Sequence, residues 1–244
     1  MPCLWEAVAG RAAPRWPRHS HHDAAIGLTW QLKDDLPAAR HVYYGKILRG
    51  RPCLVALDVF PAFYALIRGR QRARDYRMEY AAGRLTQSAR RIMDALVAEH
   101  PQYTRGLRAS CFMLGVRQTR EFERAMAELQ QGLWIVKTEE RYEPSFSYRW
   151  DLLEAWLPDA VAAGRRLTRA AAARALVERY VHAAVFTRLS VLRRLFGLSE
   201  PEAAACATAL TKRGAVVETA VAGWAGRWLV DASAVSSKRG RRAP

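Results

Sequence analysis

Two adjacent carboxylates, Asp34 and Asp35, are the side chains in this sequence best suited to chemistry. They lie in the string Trp30-Gln31-Leu32-Lys33-Asp34-Asp35, which Tyr43-Tyr44-Gly45-Lys46 follows closely. A carboxylate here could orient a water molecule for hydrolysis, or stabilise a cationic, sugar-like transition state. Alternatively, both carboxylates pair with nearby cations such as Arg40 and Lys46, and the sequence leaves both interpretations open.

Sequence motifs for other kinds of active site are missing. The chain has no glycine-rich phosphate loop, His-Glu-x-x-His pair, nucleophile elbow or paired-cysteine metal motif, so we expect no cofactor and no metal. The cluster His19, His21, His22 with Asp23 favours a mobile polar tail over a metal site, because no downstream Cys or His has matching spacing. The four scattered cysteines predict reduced thiols and a cytoplasmic protein.

An internal repeat with a constant offset of 82 residues predicts the helices and strands that follow these residues in the chain. Leu85-Thr86 recurs as Leu167-Thr168, Leu107 as Leu189, Gly115 as Gly197, and Gly132 as Gly214. Each copy has the apolar spacing of three helices, the second ending at Gly115 or Gly197, followed by an extended apolar stretch. This is the order of a winged helix-turn-helix. The sequence therefore predicts a mainly α fold with short β-hairpins, an α+β class built from tandem winged helix-turn-helix units.

The repeat divides the chain into five predicted parts. These are a flexible N-terminal lead over residues 1–27, an N-terminal extension or remnant of a third module over 28–84, a first winged-helix unit over 85–165, a second over 166–235, and a basic disordered tail over 236–244. In the first hairpin a charged loop is expected after Thr138. In the second, the turn is expected at Gly223-Trp224-Ala225-Gly226.

The formal charge of +16 indicates a polyanionic partner. Lys and Arg outnumber Asp and Glu by 14 to 7 in residues 1–84 and by 14 to 5 in residues 166–244, whereas residues 85–165 hold 11 of each. We therefore expect double-stranded DNA to lie mainly against the N-terminal segment and the second unit. The candidate DNA-binding residues are Lys46, Arg49, Arg188, Arg193, Arg194, Lys212, Arg213, Trp224 and Arg227.

Trp224 has two interpretations of equal weight. On the wing, beside Arg227, it could enter a minor groove or stack on a displaced base. Alternatively, it packs over its own hairpin. No apolar run is long enough to cross a bilayer, so no membrane partner is expected, and the sequence does not indicate an oligomeric state.

Several stretches resemble the AlkZ-like winged-helix superfamily and, more closely, its shorter AlkZ-related branch. They are Tyr43-Tyr44-Gly45-Lys46, Phe60-Pro61-Ala62-Phe63-Tyr64, Phe122 to Gln130, Tyr148-Arg149-Trp150-Asp151-Leu152 and Trp156-Leu157-Pro158, within a resemblance that spans roughly Leu28 to Val230. Full-length members of that superfamily are DNA glycosylases that excise alkylated bases and unhook some crosslinks. The resemblance therefore implies a DNA repair protein that binds damaged or intact duplex DNA.

The catalytic signature that the resemblance implies is Gln, an aliphatic residue, then Gln or Asp. The string with this outline is Gln31-Leu32-Lys33, and a charged lysine cannot accept a proton from water. The candidate catalytic residues are accordingly Gln31, with Asp34 or Asp35 as substitutes, for a monofunctional glycosylase. The alternatives are a non-catalytic transcriptional regulator or architectural protein, and a protein-interaction module whose arginines reflect genome composition.

Overall fold

The computed structural model of the protein describes residues 4–10 and 23–236. The helices are α1 (Leu4–Ala9), α2 (Ala24–Ala38), α3 (Phe60–Ile67), α4 (Tyr76–Ala81), α5 (Gln87–Ala98), α6 (Thr104–Ser110), α7 (Thr119–Gln131), α8 (Leu153–Trp156), α9 (Pro158–Arg166), α10 (Arg169–Ala184), α11 (Leu189–Phe196), α12 (Glu200–Lys212) and α13 (Ala232–Ser236). The strands are β1 (Val42–Leu48), β2 (Arg51–Ala56), β3 (Gln102–Tyr103), β4 (Ile135–Arg141), β5 (Ser147–Leu152), β6 (Phe186–Thr187), β7 (Val216–Val221) and β8 (Trp224–Asp231). The predicted combination of helices with short antiparallel hairpins is confirmed.

The chain forms two compact units. The larger comprises Met1–Leu57 with Gln71–Val161, and the smaller comprises Asp58–Arg70 with Ala162–Pro244. The segment predicted as an N-terminal extension thus contributes to both, because α3 belongs to the smaller unit. The five predicted boundaries remain predictions.

The N-terminal part contains helical structure where the sequence indicated a flexible lead. Helix α1 lies within that lead, and α2 begins after Asp23, whose side chain accepts hydrogen bonds from the amides of Ala25 (2.9 Å) and Ile26 (3.2 Å). Asp23 is therefore an N-cap residue. His19, His21 and His22, and the predicted tail beyond Ser236, lie outside the described residues.

The core of the larger unit forms where α5 and α7 pack together against a three-stranded antiparallel sheet of order β3-β5-β4. Apolar residues recur at helical spacing on both helices, which gives each one a buried face. The buried side chains include Ile92, Met93, Leu96, Phe122, Leu129, Trp134, Ile135 and Trp150. Strands β1 and β2 form a separate hairpin, whose two-residue turn, Arg49-Gly50, has positive φ at both positions.

The smaller unit packs α3 and α12 against α10 and carries a second three-stranded sheet of order β6-β8-β7. Helix α9 approaches α3 closely at Gly164, where an added Cβ would lie 2.8 Å from the Tyr64 ring. The predicted capping box of α12 is confirmed, with Ser199 as the N-cap and Glu202 bonded back to its amide (2.8 Å).

The order helix, short strand, helix, helix, hairpin occurs once in each unit, as α5-β3-α6-α7-β4-β5 and α10-β6-α11-α12-β7-β8. Thr86 and Thr168 cap the first helix of each set, as predicted. Each set also ties a histidine to an aspartate at the end of its last strand, with Nδ1 to carboxylate distances of 2.6 Å for His100 and Asp151 and 2.5 Å for His182 and Asp231.

Three local predictions were wrong. Gly197 ends α11 in the left-handed conformation as expected, but α6 already ends at Ser110, and Gly115 has an ordinary φ of −64°. The charged loop expected directly after Thr138 begins only after Arg141, because β4 continues to that residue. The second hairpin turns at positions 222 and 223, so Trp224 opens strand β8 and does not lie in the turn.

Candidate functional site

The acidic string of the sequence lies on helix α2 of the larger unit, and its candidate residues share one side of that helix. Gln31, Asp34 and Asp35 have the i, i+3, i+4 spacing of neighbours on a helix surface. Lys33 and Asp34 are half-buried, whereas Gln31 and Asp35 are exposed. The three predicted catalytic residues are therefore neighbours, and Asp34 is the one that is partly buried.

Asp34 belongs to a cluster that α2 forms with strand β4. Lys33 donates to Asp34 and to Glu140, the latter at 2.8 Å, and Lys137 also donates to Glu140. Tyr142 donates its hydroxyl to Asp34 at 2.7 Å and to Glu140 at 3.1 Å. Two ammonium groups thus face two carboxylates. The cation that pairs with Asp34 is Lys33, and not Arg40 or Lys46 as the sequence suggested.

A β-bulge makes this cluster possible. Side chains three residues apart on a regular strand point to opposite faces. Here Lys137 pairs with Trp150 and Glu139 with Arg149, so β4 holds one extra residue between them. Because of the extra residue, the side chains of Lys137 and Glu140 point to the same face of the strand, where they form an ion pair.

The pKa shifts within the cluster depend on the balance between burial and hydrogen bonding. Burial disfavours the charged form of Lys33, but its bonds to Asp34 and Glu140 outweigh this cost and raise its pKa. Burial also opposes ionisation of Glu140, yet the two lysines lower its pKa. For Lys137 burial prevails, so its pKa lies below the usual value. The hydrogen bond to Asp34 raises the pKa of Tyr142 above its usual value.

An aromatic cavity of about 400 Å³ lies beside the cluster. Its aromatic lining consists of Tyr44, Phe122, Tyr148 and Trp150, and its cationic lining consists of Lys46, Arg108 and Lys137. Lys137 joins cavity and cluster, since its ammonium lies 4.3 Å from the ring centroid of Tyr44 and 5.2 Å from that of Tyr148. Flat rings beside cations suit a planar ligand attached to an anionic backbone.

Strand β5 extends the aromatic surface beyond the cavity. Phe146, Tyr148 and Trp150 alternate along the strand, so they share one face. Their ring centroids are 4.9 Å and 5.8 Å apart in edge-to-face contacts, and Tyr142 adjoins Phe146 at 5.6 Å. The period-two aromatic pattern is visible in the sequence and could have identified this face. No comparable signal indicates the bulge that brings Lys137 and Glu140 together.

A second hollow in the larger unit, of about 690 Å³, is lined by residues of α5 and α6 and by Phe112. Its walls carry Asp94 and Glu99 together with Arg91. The aromatic cavity carries one carboxylate, Glu123, against three cations, whereas this hollow carries two carboxylates against one cation. Carboxylates repel phosphate, so the aromatic cavity is the better candidate for a nucleic-acid ligand.

The predicted DNA-binding residues are dispersed. Lys46 lines the aromatic cavity, and Arg49 lies exposed in the turn of the first hairpin. In the smaller unit, ion pairs engage Arg193 with Glu200 (3.1 Å), Arg213 with Glu178 (3.4 Å) and Arg227 with Glu218 (3.0 Å). Arg194 and Lys212 are exposed.

Trp224 contacts its own hairpin and the preceding short strand. Its ring centroid lies 5.4 Å from that of Trp228 and 5.9 Å from that of Phe186, while 56% of the residue stays exposed. Arg188 adds its guanidinium over Trp228 at 4.1 Å and donates to the carbonyl of Ala225. Trp224 therefore packs against its own hairpin, which was one of the two interpretations of this residue.

Comparison with known proteins places this architecture in a family. The model of the AlkZ-related family matches residues 3–197. The chain belongs to the AlkZ-related family. No significant match was found among curated protein sequences.

A solved structure shares the fold of this AlkZ-related chain. The Streptomyces sahachiroi DNA glycosylase AlkZ superposes with a TM-score of 0.60 at 14% sequence identity, over 99% of this chain and 62% of AlkZ. The chain thus spans less than two thirds of the length of that protein. Within the part of the chain that the structure describes, no helix is long and apolar enough to cross a membrane.

Proposed function

We propose that this chain is a DNA repair protein of the glycosylase-like type, which binds duplex DNA and holds one extruded base in the aromatic cavity. The observation that carries the proposal is the cavity itself, where the rings of Tyr44, Tyr148 and Trp150 adjoin the cations of Lys46 and Lys137. Extruded bases are held by stacking on aromatic side chains, and the cations suit the flanking phosphates. Family membership and the shared fold support the same function.

We further propose that the two repeated sets of elements are tandem winged helix-turn-helix units. The order of helices and the three-stranded sheet with its hairpin recur in both sets, and the equivalent His–Asp pairs support a common plan. In such units the third helix and the hairpin are the usual duplex contacts.

Binding is tested by titrating the protein into a fluorescent duplex at several salt concentrations. The logarithm of the association constant should fall linearly with the logarithm of the salt concentration, with a slope of about −0.9 for each phosphate contact. A weak association with a flat salt dependence would support a protein-interaction module instead.

Base excision is a second candidate function, and Glu140 is the observation that favours it. Its carboxylate is ionised beside the cavity and could stabilise positive charge on a sugar as the glycosidic bond breaks. An alkylated duplex is incubated with the protein and then heated in alkali, which cleaves abasic sites. Strand breaks above the buffer control that are lost in a folded Glu140→Gln protein, one that still binds duplex DNA, support excision. Binding without breaks identifies a lesion-binding protein that lacks this chemistry.

A further inference from the structure

The loop between α6 and α7 exposes three apolar side chains within five residues. Phe112 is 86% exposed, Leu114 58% and Val116 90%. Isolated exposed apolar residues are common on proteins, but three in one short loop indicate a contact surface. Residues 112–116 are called the apolar loop below.

The apolar loop holds a defined conformation. Arg108 donates to the carbonyl oxygens of Met113 (2.8 Å) and Gly115 (3.2 Å) and to the hydroxyl of Thr119 (3.1 Å). Met113 is buried and anchors the middle of the loop. The outward side chains are thus presented from a fixed backbone, which lowers the conformational entropy lost on binding.

Phe112 is also strained. Its φ of 59° lies in the left-handed region, which glycine adopts readily but bulky residues rarely do. Nearly complete exposure means that the ring is not held there by burial in the core. Such strain at an exposed position is typical of a functional contact.

The apolar loop is linked to the aromatic cavity through shared residues, while Phe112 itself lines the second, more acidic hollow. Arg108 and Thr119, which fix the loop, also line the cavity, and the guanidinium of Arg108 lies 5.6 Å from the ring centroid of Phe122 in the cavity wall. Three further arginines flank the loop on α6, in the turn before α7, and on α7. They are Arg105, Arg117 and Arg120, which are exposed and form no ion pair with any described residue.

We infer that the apolar loop is a wedge that enters the base stack of duplex DNA and fills the space left by the base that the cavity holds. The inference rests on the proposed function. Apolar side chains that enter base steps are a common means of unstacking DNA, and unpaired arginines beside them match the phosphates on either side. A protein partner would not require the arginines or the adjacent base cavity.

The test compares two duplexes that differ at one position, which is either an intact nucleotide or a tetrahydrofuran abasic analogue. Binding is measured by fluorescence anisotropy for the wild type and for Phe112→Ser and Val116→Ser. Because the wedge fills an existing gap without unstacking a base, the wild type should prefer the abasic duplex by about tenfold or more. The loop variants should reduce the preference to about twofold or less while binding intact duplex nearly normally.

The matched control is Met78→Ser on α4, since Met78 is another exposed apolar residue of the larger unit, at 62% exposure. It should keep the wild-type preference. Failure of the wild type to bind either duplex would overturn the proposed function together with the wedge. Normal duplex binding with the same preference in the wild type and the loop variants would overturn the wedge alone, and would favour a protein partner for the loop.

Discussion

Glu140 is the residue on which the cluster beside the cavity depends. Its side chain is 6% exposed and accepts from both Lys33 and Lys137. Glu140→Gln should destabilise the protein by about 3 kcal/mol, because two largely buried lysines lose their shared counter-charge. Urea denaturation measures the change.

Glu139→Gln is the control at the neighbouring position, where the carboxylate is 41% exposed and pairs with a similarly exposed Arg149. This exposed pair should contribute about 0 to 1 kcal/mol. Equal losses at positions 139 and 140 would show that the cluster has no special role in stability.

Glu202 gives a prediction about pH. Its hydrogen bonds with Arg169 and then with Ser199 lower its pKa to about 2. A carboxyl group whose pKa is lower in the folded than in the unfolded state stabilises the fold at pH values above its unfolded-state pKa. This contribution disappears as the pH falls through the folded-state pKa. Thermal unfolding should show a lower Tm for Glu202→Gln than for the wild type at pH 6, and the gap should close toward pH 2. A gap that persists at pH 2 would contradict this assignment.

At the scale of the element, the strained backbone of the apolar loop should lower the stability of the protein. Replacing Phe112 by Asn, which tolerates the left-handed region, should stabilise the protein by about 1 kcal/mol because little burial is lost. Leu114→Asn in the same loop has no such strain to relieve and serves as the control. Chemical denaturation of both variants provides the comparison. A loss of stability in Phe112→Asn would show that the ring supports the fold.

Two helix glycines, one in each unit, give element-scale predictions of opposite sign. Gly164→Ala in α9 should destabilise by about 1 to 3 kcal/mol, because the added Cβ would lie 2.8 Å from Tyr64 and 2.9 Å from the carbonyl oxygen of Pro61. Gly27→Ala in α2 meets no atom within 4 Å, so higher helix propensity should stabilise by about 1 kcal/mol. Urea denaturation of both variants measures the change in the free energy of unfolding. An unchanged stability in Gly164→Ala would mean that α9 and α3 can move apart.

Elements could be predicted from this sequence more reliably than the side-chain cluster. The capping residues Thr86, Thr168 and Ser199 act locally, so their effect is readable from the sequence alone. The ion pair between Lys137 and Glu140 requires a bulge that changes strand register, and Lys33 reaches them from a helix more than 100 residues away. Contacts of that kind depend on the assembled fold.

At the scale of the whole molecule, charge counts by segment do not show which arginines are held in ion pairs. Residues 85–165 hold equal numbers of acidic and basic residues, yet Arg105, Arg117 and Arg120 are exposed and unpaired with any described residue. The triple alanine variant of these arginines should reduce the magnitude of the salt slope for duplex binding by about 2 to 3.

The matched comparison is the triple alanine variant of Arg193, Arg194 and Arg227 in the smaller unit, where Arg193 and Arg227 already pair with glutamates. Exposed ion pairs are weak, so these arginines can still contribute. We expect a smaller reduction of the slope than for the first triple variant. An unchanged slope in the first variant would remove the larger unit from the DNA interface.

If the aromatic cavity holds an extruded base, the protein should bind alkylated duplex more tightly than intact duplex, and the ratio of the two affinities is the decisive measurement. Tyr148 lines the cavity, and Tyr80 is a partly buried tyrosine packed against the same core, so Tyr80→Ala controls for loss of packing. Tyr148→Ala should reduce the ratio by about tenfold, since stacking of one base on an aromatic ring contributes about 1 to 3 kcal/mol. Tyr80→Ala should retain it. The same ratio in the wild type and Tyr148→Ala would contradict the claim.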